Sequence, residues 1–317
     1  MEKNKKCARV WILEPCQSGL TYLFAKEAGA LKPLGSSNLP GSANLVLSRD
    51  IQKMKKLLGL FLIYFLIISF LILRFDLGYI LSMFLYLGIP STYFSFKNPI
   101  LIKKCLFYAF SFSIPSVVFL DYMAHVSNAW YVPSVFQIRM LGAFPAEEIL
   151  WAFLFFYANL VVYNSIYVKD FDPRVSSPNN KYLLAWIVGT GTIFFLIFSF
   201  NKELLVIDNF YILMVLFLMA LPTIIAAYFY PYFIRKVLPL TIVFIVFSIV
   251  FYEYTALKTG GWFFNGVHYI GWIQFFDVRF PIEEFLFAVF SLPGTIAIYT
   301  LFSNHSTKKM SSQDESI

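Results

Sequence analysis

"RFPIEEFLFAVFSLPGTIAIYTLF", Arg279 to Phe302, joins two things that rarely meet. Two adjacent glutamates, Glu283 and Glu284, stand behind a proline and ahead of an apolar run. The run from 281 to 302 has the roughly 20 residues a helix needs to cross a hydrocarbon core of about 30 Å. Carboxylates at membrane depth cost about 2.5–3.5 kcal/mol each on insertion scales, and by default they point to function. The phrase has an earlier copy, "AFPAEEILW", Ala143 to Trp151, whose apolar run covers 147–168.

Six more apolar segments read outward from these two, at 57–73, 77–96, 104–120, 182–200, 210–230 and 237–256. Of the 317 residues, 59% are hydrophobic and 14% charged, and the mean hydropathy is +0.70. A soluble domain is about half apolar and a quarter charged. The composition therefore predicts an all-α integral membrane protein with about eight transmembrane helices. Pro115, Pro222 and Pro293 fall inside segments and are expected to kink them. The cysteines, Cys7, Cys16 and Cys105, lack metal-ligand spacing, and His125, His268 and His305 are scattered. No metal site is expected. Without a glycine-rich dinucleotide fingerprint, no flavin or nicotinamide cofactor is expected either.

The net charge of +7 gives no reason to invoke nucleic acid, because the cations sort by side. Fourteen Lys and Arg fall before the first segment, after the second, fourth and sixth, and in the C-terminal tail. Arg74, Arg139, Lys202, Lys258 and Arg279 occupy the other side. The positive-inside rule then makes both termini cytoplasmic in the cell membrane and turns both acidic motifs outward. Residues 1–53 include the turn-rich "LKPLGSSNLPGSANL", and no signal peptide is visible. This stretch is expected to be disordered or an over-extended start, because Met54 opens a self-sufficient apolar segment. Residues 306–317 form a polar tail.

The chain also repeats itself. Pro145 aligns with Pro281 at an offset of 136 residues. Upstream, Asp121 and Trp130 are nine apart, as are Glu253 and Trp262, at an offset of 132. Residues 54–175 and 176–305 thus read as two four-helix repeats. An even helix number gives them the same orientation, as in parallel repeats.

A proline at the first helical position would put Glu147 and Glu148, and Glu283 and Glu284, in the first turn, where the helix dipole favours negative charge. Two adjacent carboxyls resist double ionisation, so one of each pair can keep a proton and act as a general acid. Asp121 and Glu253 stand at equivalent positions as either a second acid–base shell or loop caps. Trp130 and Trp262 read as cation-facing rings or as interfacial anchors. Arg139 and Arg279 are candidate partners of the glutamates. Asn265 and His268 are candidates for the edge of the site, and Asn159 and Asn164 for bonds between helices.

The two Pro-x-Glu-Glu phrases, each behind a Trp-containing loop, resemble the membrane lycopene cyclase family of bacteria, archaea and fungi, here with both halves fused. The likeness covers about residues 54–305. It is strongest in "GGWFFNGVHYIGWIQFFDVRFPIEEFLF", Gly260 to Phe287, and looser in "FPAEEILWAFLFFYANLVVYN", Phe144 to Asn164. The resemblance implies non-redox cyclisation of a linear carotenoid end group. It also implies a lipophilic carotenoid substrate, the lipid bilayer and other enzymes of the same pathway as partners. The glutamates would supply and remove protons, with Glu283 and Glu284 the leading pair. Trp130, Trp262, Asp121, Glu253 and Asn265 would attend the substrate or its cation. Two other readings stand beside it: a transporter with a glutamate proton relay, and a prenyl-transfer or other terpenoid enzyme. For the last, "KDFDPR", Lys169 to Arg174, is the nearest metal-binding cluster.

Overall fold

The computed structural model describes residues 41–167, 175, 177–230 and 233–303, with side chains from Leu58 onward. The chain divides into an N-terminal unit, Met1–Leu60, and a second unit, Phe61–Ile317. In the first unit the described residues belong to helix α1, Gly41–Phe75. Residues 41–53 are helical; residues 1–40, on which most of the expectation for the N-terminal stretch falls, and the tail beyond 303 lie outside the described residues. "GSANLVLSRDIQKMKK" carries no proline, and its few β-branched residues are spread out, so nothing in it opposes a helix.

Eight helices among the described residues are long and apolar enough to cross a membrane. After α1 come α2, Tyr79–Lys97; α3, Pro99–Val126; α4, Glu147–Tyr167; α5, Asn180–Phe200; α6, Phe210–Phe229; α7, Phe233–Lys258; and α8, Ile282–Ser303. The number matches the expectation. Helix α3 runs past its expected end at 120, so Asp121 lies inside it and not at its edge, while Glu253 lies inside α7, as the segment 237–256 has it. Helices α4 and α8 are the inner pair: half of each is buried, against about a tenth of α1 and α5. Gly294 lets α8 approach α6. A Cβ at that position would stand 2.8 Å from the Met219 Cα, a contact only glycine avoids.

Four helices carry π turns: Phe84–Gly88 in α2, Ser116–Asp121 in α3, Val215–Ala220 in α6 and Val246–Glu253 in α7. Two of them have a direct cause. Pro90 and Pro222 each stand two residues behind a π segment, and a proline ring clashes with the carbonyl four residues back. A widened turn moves that carbonyl, Tyr86 or Leu218, out of the way. Pro293, by contrast, sits within a continuous α8. Each π turn also shifts the register, and one residue of shift rotates the remainder of the helix by about 100°. Asp121 and Glu253 are the last residues of their π segments.

Two hairpins precede the inner helices. β1, Arg139–Met140, pairs with β2, Phe144–Pro145, and β3, Trp272–Phe275, pairs with β4, Val278–Pro281. Pro145 and Pro281 thus end strands; they do not open the helices, which corrects the sequence expectation. A terminal proline suits that place because its missing N–H stops the ladder. The two loops also bind each other. Tyr131 N–H donates to the Phe263 carbonyl at 2.9 Å, and Phe263 N–H returns the bond to Tyr131 at 2.8 Å.

Candidate active site

The acidic pairs divide by residue. Glu147 accepts from the Phe136 N–H at 2.7 Å and from the Ser134 hydroxyl at 3.2 Å. Glu283 Oε1 accepts from the Ile270 N–H at 2.7 Å. Each of these first glutamates therefore pins the loop that precedes its own helix. The second glutamates, about 100° further round, point elsewhere. Tyr79 donates to Glu148 Oε1 at 2.5 Å, and Tyr211 donates to Glu284 Oε2.

Both second glutamates face one cavity of about 110 Å³. Its polar and aromatic wall includes Tyr79, Asp121, Trp130, Trp151, Tyr211 and Trp262. Phe155, Phe156, Phe264, Phe287, Met214 and Met219 stand among its apolar lining. An apolar cavity of about 150 Å³ holds benzene, so this one is on the scale of a small hydrocarbon group.

The tryptophans reach across. Trp262 Nε1 donates to Glu253 Oε1 at 3.0 Å, while its ring meets Tyr79 edge-on at 6.3 Å. Trp130 lines the cavity together with Asp121, and its ring lies 4.9 Å from Tyr211. Trp262 is thus held by the acid on the helix just before its loop, and each tryptophan packs on the tyrosine that serves the other acidic pair. Trp151 Nε1 adds a bond from α4 to the Tyr252 hydroxyl on α7 at 2.8 Å. Glu253 is buried behind the wall, close enough to Glu284 for the two carboxyls to interact.

The loops above the cavity are tied as closely. The Tyr269 hydroxyl donates to the Ala129 carbonyl at 2.6 Å and accepts from the Gly266 N–H at 3.1 Å. Burial pushes the Tyr269 phenol above its usual pKa, which keeps it a donor. Gly266 is required there, since a Cβ would stand 2.4 Å from the Asn128 carbonyl oxygen.

Of the residues expected from sequence, Glu148, Glu284, Asp121, Trp130 and Trp262 meet at the cavity. Glu253 joins through Trp262 and Glu284, and Glu147 and Glu283 hold the loops. Asn265 and His268 are exposed and do not line the cavity. Arg139 gives its guanidinium to the Ala143 and Val132 carbonyls and covers the Tyr131 ring, and Arg279 lies 4.8 Å from the Trp272 ring centre. Among the described residues neither pairs with a glutamate. The "KDFDPR" cluster lies outside the described residues. Tyr79, Tyr211 and Trp151 are additions. The two tyrosines carried a signal, being 132 residues apart like Asp121 and Glu253. Comparison with protein-family models, curated proteins and solved structures finds no match for this chain.

Proposed function

We propose that this chain is a lycopene-type carotenoid cyclase made of two parallel four-helix repeats, with both termini cytoplasmic. The observation that carries the reading is the convergence of Glu148 and Glu284, each with a tyrosine donor, on one apolar, aromatic cavity. The recurrence of π turns, hairpins, tyrosines and tryptophans at matched positions supports the repeat.

The reaction needs a proton donor, a cation-tolerant wall and a proton acceptor, with no electron carrier. A cavity carboxyl protonates the terminal double bond of the end group. The neighbouring double bond attacks the resulting carbocation and closes a six-membered ring, leaving the charge on the ring. A carboxylate then removes a ring proton, so protons balance and no electrons transfer. Two neighbouring buried carboxyls resist double ionisation, so Glu253 and Glu284 are the natural store for the donated proton. The Trp130, Trp151 and Trp262 faces stabilise the cation by roughly 0.5–2 kcal/mol each. Phe155, Phe264 and Phe287 keep out water, which would trap the cation as an alcohol.

The test is expression in a lycopene-accumulating bacterium with chromatographic separation of the pigments. Cyclised carotenoid in cells carrying the intact chain, and lycopene alone with E148Q/E284Q at equal membrane level, is the expected pair of results. Unchanged lycopene with the intact chain would remove the reading. A proton-relay transporter is the second reading, favoured by buried carboxyls at matched positions of two repeats. It would convert no pigment and would acidify or alkalinise loaded vesicles.

A further inference from the structure

Asp121 and Glu148 line the large cavity, and both also line a second, smaller chamber of about 10 Å³. His125 and Arg139 line that chamber as well. His125 is four residues beyond Asp121, one turn further along the same face of α3, and one residue short of the end of that helix. The two acids thus stand between the cavity on one side and a half-buried imidazole on the other.

The charged and titratable neighbours of this imidazole are few. Its ring lies 6.3 Å from the Tyr131 ring, which Arg139 covers at 4.6 Å. The Arg139 guanidinium is itself bound to the Ala143 and Val132 carbonyls, so it is fixed in place. Neither ring nitrogen of His125 has a hydrogen-bond partner among the described residues.

The matched place in the second half is built differently. At the offset of 132, His125 and Val132 correspond to Leu257 and Phe264; at 136, Phe144 corresponds to Phe280. Phe280 is the buried core of an apolar cluster there, with Leu257 and Phe264 packed against it. Where the second half holds hydrocarbon, the first holds an imidazole, a smaller valine and a chamber. A chamber of about 10 Å³ admits one water, which needs two to four polar partners. The two carboxyls and the imidazole supply them.

We infer that His125 and one water in this chamber form a proton port, through which Asp121 and Glu148 exchange protons with the aqueous end of α3. A proton taken up on one imidazole nitrogen is matched by one released from the other to the water, and the water passes one to a carboxylate. The reverse sequence empties the acid, so protons and charge balance. Because the acids themselves separate the chamber from the large cavity, protons cross while bulk water stays out of it. The cyclase reading calls for such a route to reset an acid after turnover, and the transporter reading calls for it in every cycle. The inference concerns proton exchange alone and stands apart from both.

The test is infrared spectroscopy of the full chain in detergent micelles. The pH is lowered until the carboxylic-acid C=O bands of Asp121 and Glu148 are present, each assigned by its loss in Asp121→Asn or Glu148→Gln. The sample is then mixed with D₂O, and the downshift of each band times the exchange. His125→Leu installs the residue of the second half, and Val132→Phe fills the chamber in the same way while keeping the histidine. Both variants should exchange about 10²-fold more slowly than the native chain at the same pH, the lower end of what a positioned proton-transfer group contributes. A variant that only loosened the fold would open more often and exchange faster, so slowing has no structural imitation. Exchange at the native rate in either variant, with the fold retained, would overturn the inference.

Discussion

Glutamine at Glu284 and glutamine at Glu283 are the same chemical change one residue apart, and they should fail in different ways. At 284, Gln keeps the side-chain shape and an oxygen to accept from Tyr211, so folding should hold. It cannot give a proton to an alkene. General acid catalysis is worth about 10²–10⁴-fold, or roughly 2.7–5.5 kcal/mol at 1.36 kcal/mol per tenfold. At 283, Gln still accepts from the Ile270 N–H through its oxygen. The new amide replaces Oε2, which has no partner among the described residues, so a buried donor is left unsatisfied at about 1–3 kcal/mol. The expected outcome is a stable but nearly inactive E284Q and a less stable E283Q with near-normal turnover per folded molecule. The assay is cyclised pigment per folded protein, measured with the unfolding midpoint of the same preparation. Equal loss of turnover in both, at equal folded protein, would refute the division of labour within each pair.

Tyr211→Phe keeps the ring against Trp130 but removes the donor to Glu284; at about 0.5–1.5 kcal/mol for one hydrogen bond, product formation should drop roughly 2- to 10-fold, read in the same pigment assay. Gly294→Ala drives a methyl into the Met219 backbone and should cost about 1–3 kcal/mol of stability, read as a lowered unfolding midpoint. Reporter fusions after Asn98 and Tyr230 should read cytoplasmic and one after Asn128 outside; the reverse pattern would remove the assigned topology.

The spans and their number were legible in the sequence because burial in lipid imposes a long apolar run whatever the tertiary structure. The acidic pairs were legible because carboxylates in such a setting stand out. What was not legible depends on rotation about helix axes. Nothing in "PAEE" or "PIEE" says which glutamate faces inward; that is set by loops whose Phe136 and Ile270 N–H groups capture the first member. The placement of Asp121 inside α3 goes with a π turn, and no proline stands closely behind that segment to announce it. The hairpins were hidden by aromatic residues that suit a loop at an interface equally well. Asn265 looked informative beside "GGWFF", yet it faces outward from its loop.

The reciprocal bonds between Tyr131 and Phe263 use main-chain atoms only. A latch of that kind is blind to side chains. One loop presents Tyr there and the other Phe, and the fastening is indifferent to the choice; proline alone, which has no N–H to offer, would unfasten it from either side. The two strands of the closure can therefore drift in sequence while staying joined. Each loop takes its fastening from the other's backbone, so a lesion in one loop is felt beside both Trp130 and Trp262.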